Sequence, residues 1–151
     1  MLPAATMSSP DQPIVSRLDA LRQKIFPQNR LAPRNWRYLI ASNTAQVILL
    51  SQQGQDLGFG ILLYRANSTK ARLYIMGIDA AYRRGGMGRF LLEQAEYLAI
   101  AQSRNSITLE VDENNIAATW LYEQAGYRIL RYLPHYYHNG ATALYMVKPL
   151  C

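Results

Sequence analysis

Hydrophobic residues return every three or four positions in four stretches of the chain, and this spacing predicts four helices with one apolar face each. The first helix starts at residues 11–13 and is stopped by Pro27, and the second follows Pro33. Gly126 stands directly after the fourth stretch, where a glycine commonly ends a helix. The four stretches are 14–25, 36–40, 90–99 and 116–125.

Six shorter stretches are rich in β-branched and aromatic residues and predict strands. The first three follow one another with short polar turns between them, so they are predicted to be antiparallel. The fourth follows a strand and a helix, so it is predicted to lie parallel to the third. This order of elements predicts an α/β fold, in which an α+β mixed sheet is flanked by helices in three layers. The predicted strands are 46–50, 57–65, 72–78, 107–111, 127–133 and 141–148.

The length of 151 residues suits one domain, and no internal repeat or linker composition divides the chain. We expect a single domain over residues 1–151, with residues 1–12 as a flexible tail. Half of the residues are hydrophobic and 17% are charged, which is typical of a globular protein and excludes a disordered one. No apolar run approaches the ~18 residues of a membrane span, and the start lacks a secretion-signal pattern, so we expect a cytoplasmic location and no membrane partner.

Basic residues outnumber acidic ones by sixteen to ten, which gives a net charge of +6. The excess favours an anionic ligand or surface, but it does not by itself distinguish a nucleotide cofactor from nucleic acid. The single cysteine, Cys151, excludes an intramolecular disulfide and is not expected to be catalytic at the end of the chain. His135 and His138 share one loop without a third ligand, so no metal site is predicted.

The stretch YRRGGMGRFLLEQA, residues 82–95, places three glycines and three arginines between a predicted strand and a predicted helix. Free backbone N–H groups and the positive end of the helix dipole attract anions there, and glycines let the backbone approach a ligand without a Cβ. This combination favours a turn that binds a pyrophosphate group. The alternative is a tight turn with exposed arginines that binds no ligand. Neither a P-loop nor a dinucleotide fingerprint is present. The candidate binding residues are Arg83, Arg84, Gly85, Gly86, Met87, Gly88 and Arg89.

Arg83, Gly86 and Gly88 have the spacing R-x-x-G-x-G, which resembles the acetyl-CoA signature of the GNAT N-acetyltransferases. The likeness continues through IDAAYRRGGMGRFLLEQA, ITLEVDENNIAATWLYEQAGY and YYHNGATALYMVKPL, and covers roughly residues 57–150. It is most similar to the RimI-type enzymes, which acetylate the N-terminal alanine of a small-subunit ribosomal protein. The resemblance therefore implies acetyl-CoA as co-substrate, no metal, and a protein or peptide N-terminus, such as that of a ribosomal protein, as acceptor.

The N-terminal region departs from this pattern. In such enzymes it forms one wall of the substrate groove, but here it does not align clearly, so the resemblance leaves the exact peptide open. It is rich in arginine: Arg17, Arg22, Arg30, Arg34 and Arg37.

The resemblance also implies roles for three side chains. Glu110, in ITLEV, matches the general base, although the residues alone favour a solvated carboxylate at the edge of a sheet. Tyr122 matches the general acid in LYE-x-x-G-[FY], and a core tyrosine on an amphipathic helix is the alternative. Asn115 matches a residue that contacts the cofactor, and capping of the following helix explains it equally well.

Two further segments have implied roles. The acetyl carbonyl is polarised in the family by a strand-end backbone N–H, which here comes from Met76, Gly77 or Ile78. Gly77 fits a close backbone approach, and a packing glycine is the alternative. Tyr136 and Tyr137 match hairpin tyrosines that hold the peptide backbone, and exposed tyrosines without a function are an equal alternative.

The pKa of the acceptor amine bears on whether a peptide N-terminus or a lysine side chain is the acceptor. An α-amine has a pKa about 2.5 units below that of lysine, so its deprotonation costs about 3.4 kcal/mol less. This favours a peptide N-terminus without excluding lysine. A GNAT enzyme for a small-molecule amine is the first rival, and a non-catalytic module that binds acetyl-CoA is the second. Only the net charge would recommend nucleic acid as a partner, so none is expected.

Overall fold

The computed structural model describes residues 4–8, 12–27, 33–83 and 85–150. Four helices are described: α1 (Gln12–Ile25), α2 (Pro33–Ala41), α3 (Met87–Ala101) and α4 (Ile116–Gln124), with a short 3-10 turn at Ala80–Tyr82. The described strands are β1 (Ala4–Ser8), β2 (Ala45–Gln52), β3 (Gln55–Tyr64), β4 (Lys70–Ile78), β5 (Ser106–Asp112), β6 (Arg128–Leu133) and β7 (Ala143–Pro149). They form one sheet in the order β1-β2-β3-β4-β5-β7-β6.

The predicted order of helices and strands is confirmed, with ends that differ by a few residues. As predicted, β2, β3 and β4 are antiparallel neighbours, and β5 runs parallel to β4. The glycine expected after α4 is Gly126, which has a left-handed φ of 100°. The predicted α/β fold, with a mixed sheet between helices, is therefore confirmed.

Residues 1–12 are predicted above to be a flexible tail, and the structure describes a strand within that range. Ala4–Ser8 form β1, an edge strand that pairs antiparallel with β2 from Ala4 opposite Ser51 to Ser8 opposite Val47. Strand pairing is made by backbone groups, so a short edge strand needs no strong pattern of side chains. Residues 1–3 and 9–11 lie outside the described part of the chain.

Two hydrophobic cores lie on opposite faces of the sheet, because successive side chains of each strand point to opposite sides. On one face, α3 and α4 cover a core that includes Leu73, Leu91, Leu98, Leu109 and Met146. On the other face, α1 and α2 cover a core that includes Leu18, Ile40, Leu49, Phe59 and Ile61. The sheet is thus the middle of three layers.

The parallel pairing of β4 with β5 is shorter than either strand. It runs from Lys70 opposite Ser106 to Leu73 opposite Leu109. Beyond that point β4 continues to Ile78 against β3 alone, and β5 continues to Asp112 against β7 alone. The two strands therefore separate at their carboxyl ends, and we refer to the space between them as the β4–β5 opening.

Candidate active site

The glycine-rich turn lies directly before α3. Gly85 and Gly86 have φ angles of 91° and 80°, in the left-handed region that glycine adopts without strain. A Cβ at either position would meet nothing within 4 Å, so backbone conformation rather than packing requires these two glycines. Gly86 is the N-cap, and its carbonyl accepts the bond from Phe90 N at 2.9 Å. The amides of Met87–Arg89 thus precede the helical ladder, as an anion site requires.

The other residues of the turn are held by neighbouring elements. A Cβ on Gly88 would lie 3.1 Å from Leu121 Cδ2, so this glycine permits the close approach of α3 to α4. Arg83 Nε donates to Ile78 O at 3.0 Å, and Arg89 Nη1 donates to Gln124 O at 3.4 Å. Both arginines remain exposed, so their charges stay accessible beside the turn. Arg84, another predicted binding residue, lies outside the described residues.

The free edge of β4 offers backbone donors to the β4–β5 opening. Asp79 N donates to Leu57 O of β3 at 2.7 Å, and N–H groups alternate in direction along a strand. Gly77 therefore points its N–H towards β3, whereas Met76 and Ile78 point theirs towards the opening. Of the three predicted donors, these two have the required direction.

Gly77 has a packing role that explains the absence of a side chain. A Cβ there would lie 2.8 Å from Ile25 Cγ2 and from two ring atoms of Phe26, at the end of α1. Phe26 in turn packs edge-on against Phe59, with ring centroids 6.2 Å apart. The alternative of a packing glycine is the interpretation that the contacts support.

Glu110 lies at the point where β4 and β5 separate. Its side chain is 14% exposed, and its Oε2 is 3.2 Å from Arg72 Nε. It is therefore not the solvated edge carboxylate that its residue type alone suggested. No described residue hydrogen-bonds Glu110 Oε1, which leaves that oxygen available to a ligand. Arg72 was missed by the sequence analysis, because a contact between residues 38 positions apart depends on the strand register.

Tyr122 is buried on the face of α4 that meets the sheet. It is 8% exposed and packs edge-on against Tyr127, with ring centroids 5.9 Å apart. Burial raises the pKa of Tyr122 to about 12, so its hydroxyl keeps its proton at neutral pH. Asn115 caps the same helix, with its side chain accepting a bond from Ala118 N at 3.1 Å. The capping interpretation is confirmed, and the cofactor contact stays a prediction.

The β6–β7 hairpin brings its two tyrosines to Glu110 and Arg72. Tyr136 OH accepts a hydrogen bond from Arg72 Nη2 at 3.3 Å, and its ring lies edge-on to Tyr137 with centroids 5.0 Å apart. Burial raises the pKa of Tyr137 to about 12, with smaller contributions from nearby groups that include the Glu110 carboxylate. Within the described residues, no three His, Cys, Asp or Glu side chains are grouped as a metal site would need.

A cavity of about 760 Å³ opens beside Glu110 on the α2 side of the sheet. Arg72 and Tyr145 line it together with Glu110, as do Arg65 and Lys70. No sequence pattern predicts this cavity, because α2, the β3–β4 turn and β5 form it only after folding. We refer to it as the α2 cavity. Its other walls are Leu39, Ser42, Thr44, Leu63, Tyr64, Ala66, Ser68 and Thr108.

A family model matches nearly the full length of the chain, and curated relatives match part of it. The family model of the acetyltransferase (GNAT) domain matches residues 9–150. Human N-alpha-acetyltransferase 30 is 28% identical over 113 residues, which are 72% of this chain and 31% of that protein. The chain spans less than half of the length of each curated relative it matches.

Solved structures share the fold. The ribosomal-protein-S18-alanine N-acetyltransferase from Escherichia coli has a TM-score of 0.84 and 24% identity, covering 97% of this chain and 94% of that one. The NatC complex bound to Gag peptide and CoA contains a chain with a TM-score of 0.78 and 18% identity, covering 97% and 99%. At these identities the likeness establishes the fold alone. Separately, none of the described helices is long and apolar enough to span a membrane.

Proposed function

This chain belongs to the GNAT acetyltransferase family, and on that premise we propose that it is an N-acetyltransferase that acetylates the N-terminal α-amine of a protein or peptide. The acetyl donor is acetyl-CoA. The observation that carries the proposal is the meeting of Glu110, Arg72 and the hairpin tyrosines at the β4–β5 opening. A carboxylate with one free oxygen beside unpaired backbone donors suits the transfer of an acyl group to an amine.

The residues around the opening fit acetyl-CoA. The amides of Gly86–Arg89, with the charges of Arg83, Arg84 and Arg89, would hold the pyrophosphate, because a helix start with no acidic residue in its first turn attracts anions. Met76 N–H and Ile78 N–H would hold the acetyl carbonyl, and Asn115 would contact the cofactor next to them. Bound there, acetyl-CoA supplies an activated thioester.

Two side chains would move the protons. Glu110 Oε1 takes a proton from the amine as the new nitrogen–carbon bond forms and the sulfur–carbon bond of the thioester breaks, by direct attack within a ternary complex. Tyr122 gives its proton to the departing thiolate, and a pKa raised to about 12 keeps that proton in place beforehand. Tyr136 and Tyr137 hold the acceptor backbone over Glu110.

Three observations support an N-terminal α-amine as the acceptor. Its deprotonation costs about 3.4 kcal/mol less than that of lysine. The relatives include proteins named as N-alpha-acetyltransferase and as ribosomal-protein-alanine N-acetyltransferase. The α2 cavity carries three basic side chains, Arg65, Lys70 and Arg72, which disfavour a cationic polyamine. A ribosomal protein is therefore the first acceptor to test.

The test compares acceptors at equal concentration. The enzyme and acetyl-CoA are incubated with an alanine-initiated ribosomal peptide, with the same peptide blocked at its N-terminus, and with a panel of polyamines and amino acids. We expect one acetyl group on the free α-amine and none on the blocked peptide. Acetylation of a polyamine or amino acid alone would support the small-molecule rival, and tight CoA binding without turnover would support the non-catalytic rival.

A further inference from the structure

We infer that the α2 cavity selects acceptors that carry carboxylates on the residues directly after the N-terminal amine. This inference rests on the proposed function and adds to it the class of peptide. It is carried by the charges of the cavity, by their distance from Glu110, and by the freedom of two of them to bind a ligand.

The cavity walls are strongly positive. Arg65, Lys70 and Arg72 line it, and Glu110 is the one carboxylate among its described lining residues. That carboxylate is already paired with Arg72 at 3.2 Å. Arg104 adds a further positive charge, since its guanidinium lies 5.1 Å from the centre of the Tyr64 ring, which lines the cavity. An acceptor with acidic side chains would neutralise this surplus.

Arg65 and Lys70 are free to bind such an acceptor. Both side chains belong to exposed residues, and neither has a carboxylate within 4.0 Å among the described residues. Arg104, by contrast, is held in place, because its Nη1 donates to the carbonyls of Arg65 and Ser68. It thereby fixes the β3–β4 turn that presents Arg65.

The strand register gives the spacing. Arg72 pairs with Thr108 and Lys70 pairs with Ser106, while Glu110 lies two residues beyond Thr108 on the same face. With a rise of about 3.3 Å per residue, the backbone of Arg72 is offset from that of Glu110 by about 7 Å along the strands, and the backbone of Lys70 by about 13 Å. An extended peptide with its amine at Glu110 reaches these cations with its second to fourth residues. A volume of about 760 Å³ has room for such a segment.

The test uses three peptides of equal length that begin with alanine and differ only at positions 2 to 4. These positions carry glutamate in the first peptide, glutamine in the second and lysine in the third. We expect kcat/KM at low salt to be about tenfold higher for the glutamate peptide than for the glutamine peptide, mainly through KM, and lowest for the lysine peptide. In 0.5 M salt the difference between the first two peptides shrinks, because exposed ion pairs are screened.

A variant locates the effect. Lys70→Gln is expected to lower the ratio of kcat/KM for the glutamate peptide to kcat/KM for the glutamine peptide, because it removes one of the cations that line the cavity. Tyr97→Glu, on the exposed side of α3 across the sheet, changes the net charge by the same amount and should keep the preference.

The outcomes separate the two proposals. Equal rates for all three peptides, or a preference for lysine, would overturn the inference and leave N-terminal acetylation standing. A preference that survives Lys70→Gln unchanged would overturn the assignment of the cavity. If no peptide is acetylated, the proposed function fails first and the inference fails with it.

Discussion

Leu73 and Leu109 form the last pair of the parallel ladder between β4 and β5. Both side chains point into the core beneath α3 and α4, so the next residue on β5, Glu110, points to the opposite face. The end of the pairing thus places a carboxylate on one side of the sheet at the same level as the unpaired backbone of β4. The β4–β5 opening suits an active site because it brings this carboxylate and these unpaired backbone groups together.

Glu110→Gln tests the assignment of the base. We expect kcat to fall by about 10² to 10⁴-fold, because the amide is isosteric but cannot take a proton, while the dissociation constant of acetyl-CoA stays unchanged. Steady-state kinetics and calorimetry measure the two quantities. Glu113→Gln is the matched control, since it makes the same change at an exposed position of the following turn and should keep full activity. Wild-type turnover in Glu110→Gln would refute the assignment.

Tyr122→Phe tests the acid. The variant removes only a hydroxyl from a buried ring, so the fold is retained and kcat should fall by about 10²-fold or more. Tyr97→Phe removes a hydroxyl from an exposed ring on α3 and should leave kcat unchanged. The two variants are compared with a peptide acceptor at saturating acetyl-CoA. Equal rates in both would show that the Tyr122 hydroxyl only fills the core.

The raised pKa of Tyr122 has a consequence for stability at alkaline pH. Tyrosine in the unfolded chain ionises near pH 10, whereas Tyr122 in the folded protein keeps its proton up to about pH 12. The contribution of the protonated Tyr122 to the free energy of unfolding is therefore fully present below pH 10 and is lost as the pH rises through 12. We expect the free energy of unfolding in urea to fall less between pH 9 and pH 11 in Tyr122→Phe than in the wild type, by on the order of 1 kcal/mol. Identical pH dependence would contradict the shift.

Gly86→Val tests the glycine turn. Valine is strained at a φ of 80° and its side chain would enter the open space at the start of α3, so we expect acetyl-CoA to bind at least tenfold more weakly with little change in kcat at saturation. Gly54→Val is the matched control: Gly54 has a φ of 77°, and a Cβ there also meets nothing within 4 Å, but it lies in the β2–β3 turn. Equal weakening in both variants would mean that general destabilisation is the cause.

Gly77→Ala tests the packing between β4 and the end of α1. The added Cβ would lie 2.8 Å from Ile25 and Phe26, so we expect a loss of about 1–3 kcal/mol in the free energy of unfolding. Gly60→Ala in β3 is the control, because its nearest neighbour would be 3.7 Å away, an ordinary contact. Denaturant titrations of both variants measure the difference. An unchanged free energy of unfolding in Gly77→Ala would show that the side chains of Ile25 and Phe26 move away from the added Cβ at little cost.

The sequence predicted most of the fold because helices and strands are recorded in local periodicity and in turn residues such as Gly126. It did not predict β1, since the pairing of that strand depends on the backbone of β2 rather than on its own side chains. The Arg72–Glu110 pair was beyond reach for a related reason: the two residues meet only once the register between two strands is known. The α2 cavity could not be predicted either, because three separate elements form its walls.

The most direct test of the account is a nuclear magnetic resonance titration of the isotope-labelled protein with acetyl-CoA, followed through its backbone amides. If the β4–β5 opening and the glycine turn form one site, the amide signals of Met76, Ile78 and Gly86–Arg89 should shift together, with one dissociation constant. The amide of Gly77, which points towards β3, should shift less than its neighbours. Shifts confined to other parts of the sheet, or no shifts at saturating acetyl-CoA, would contradict the account.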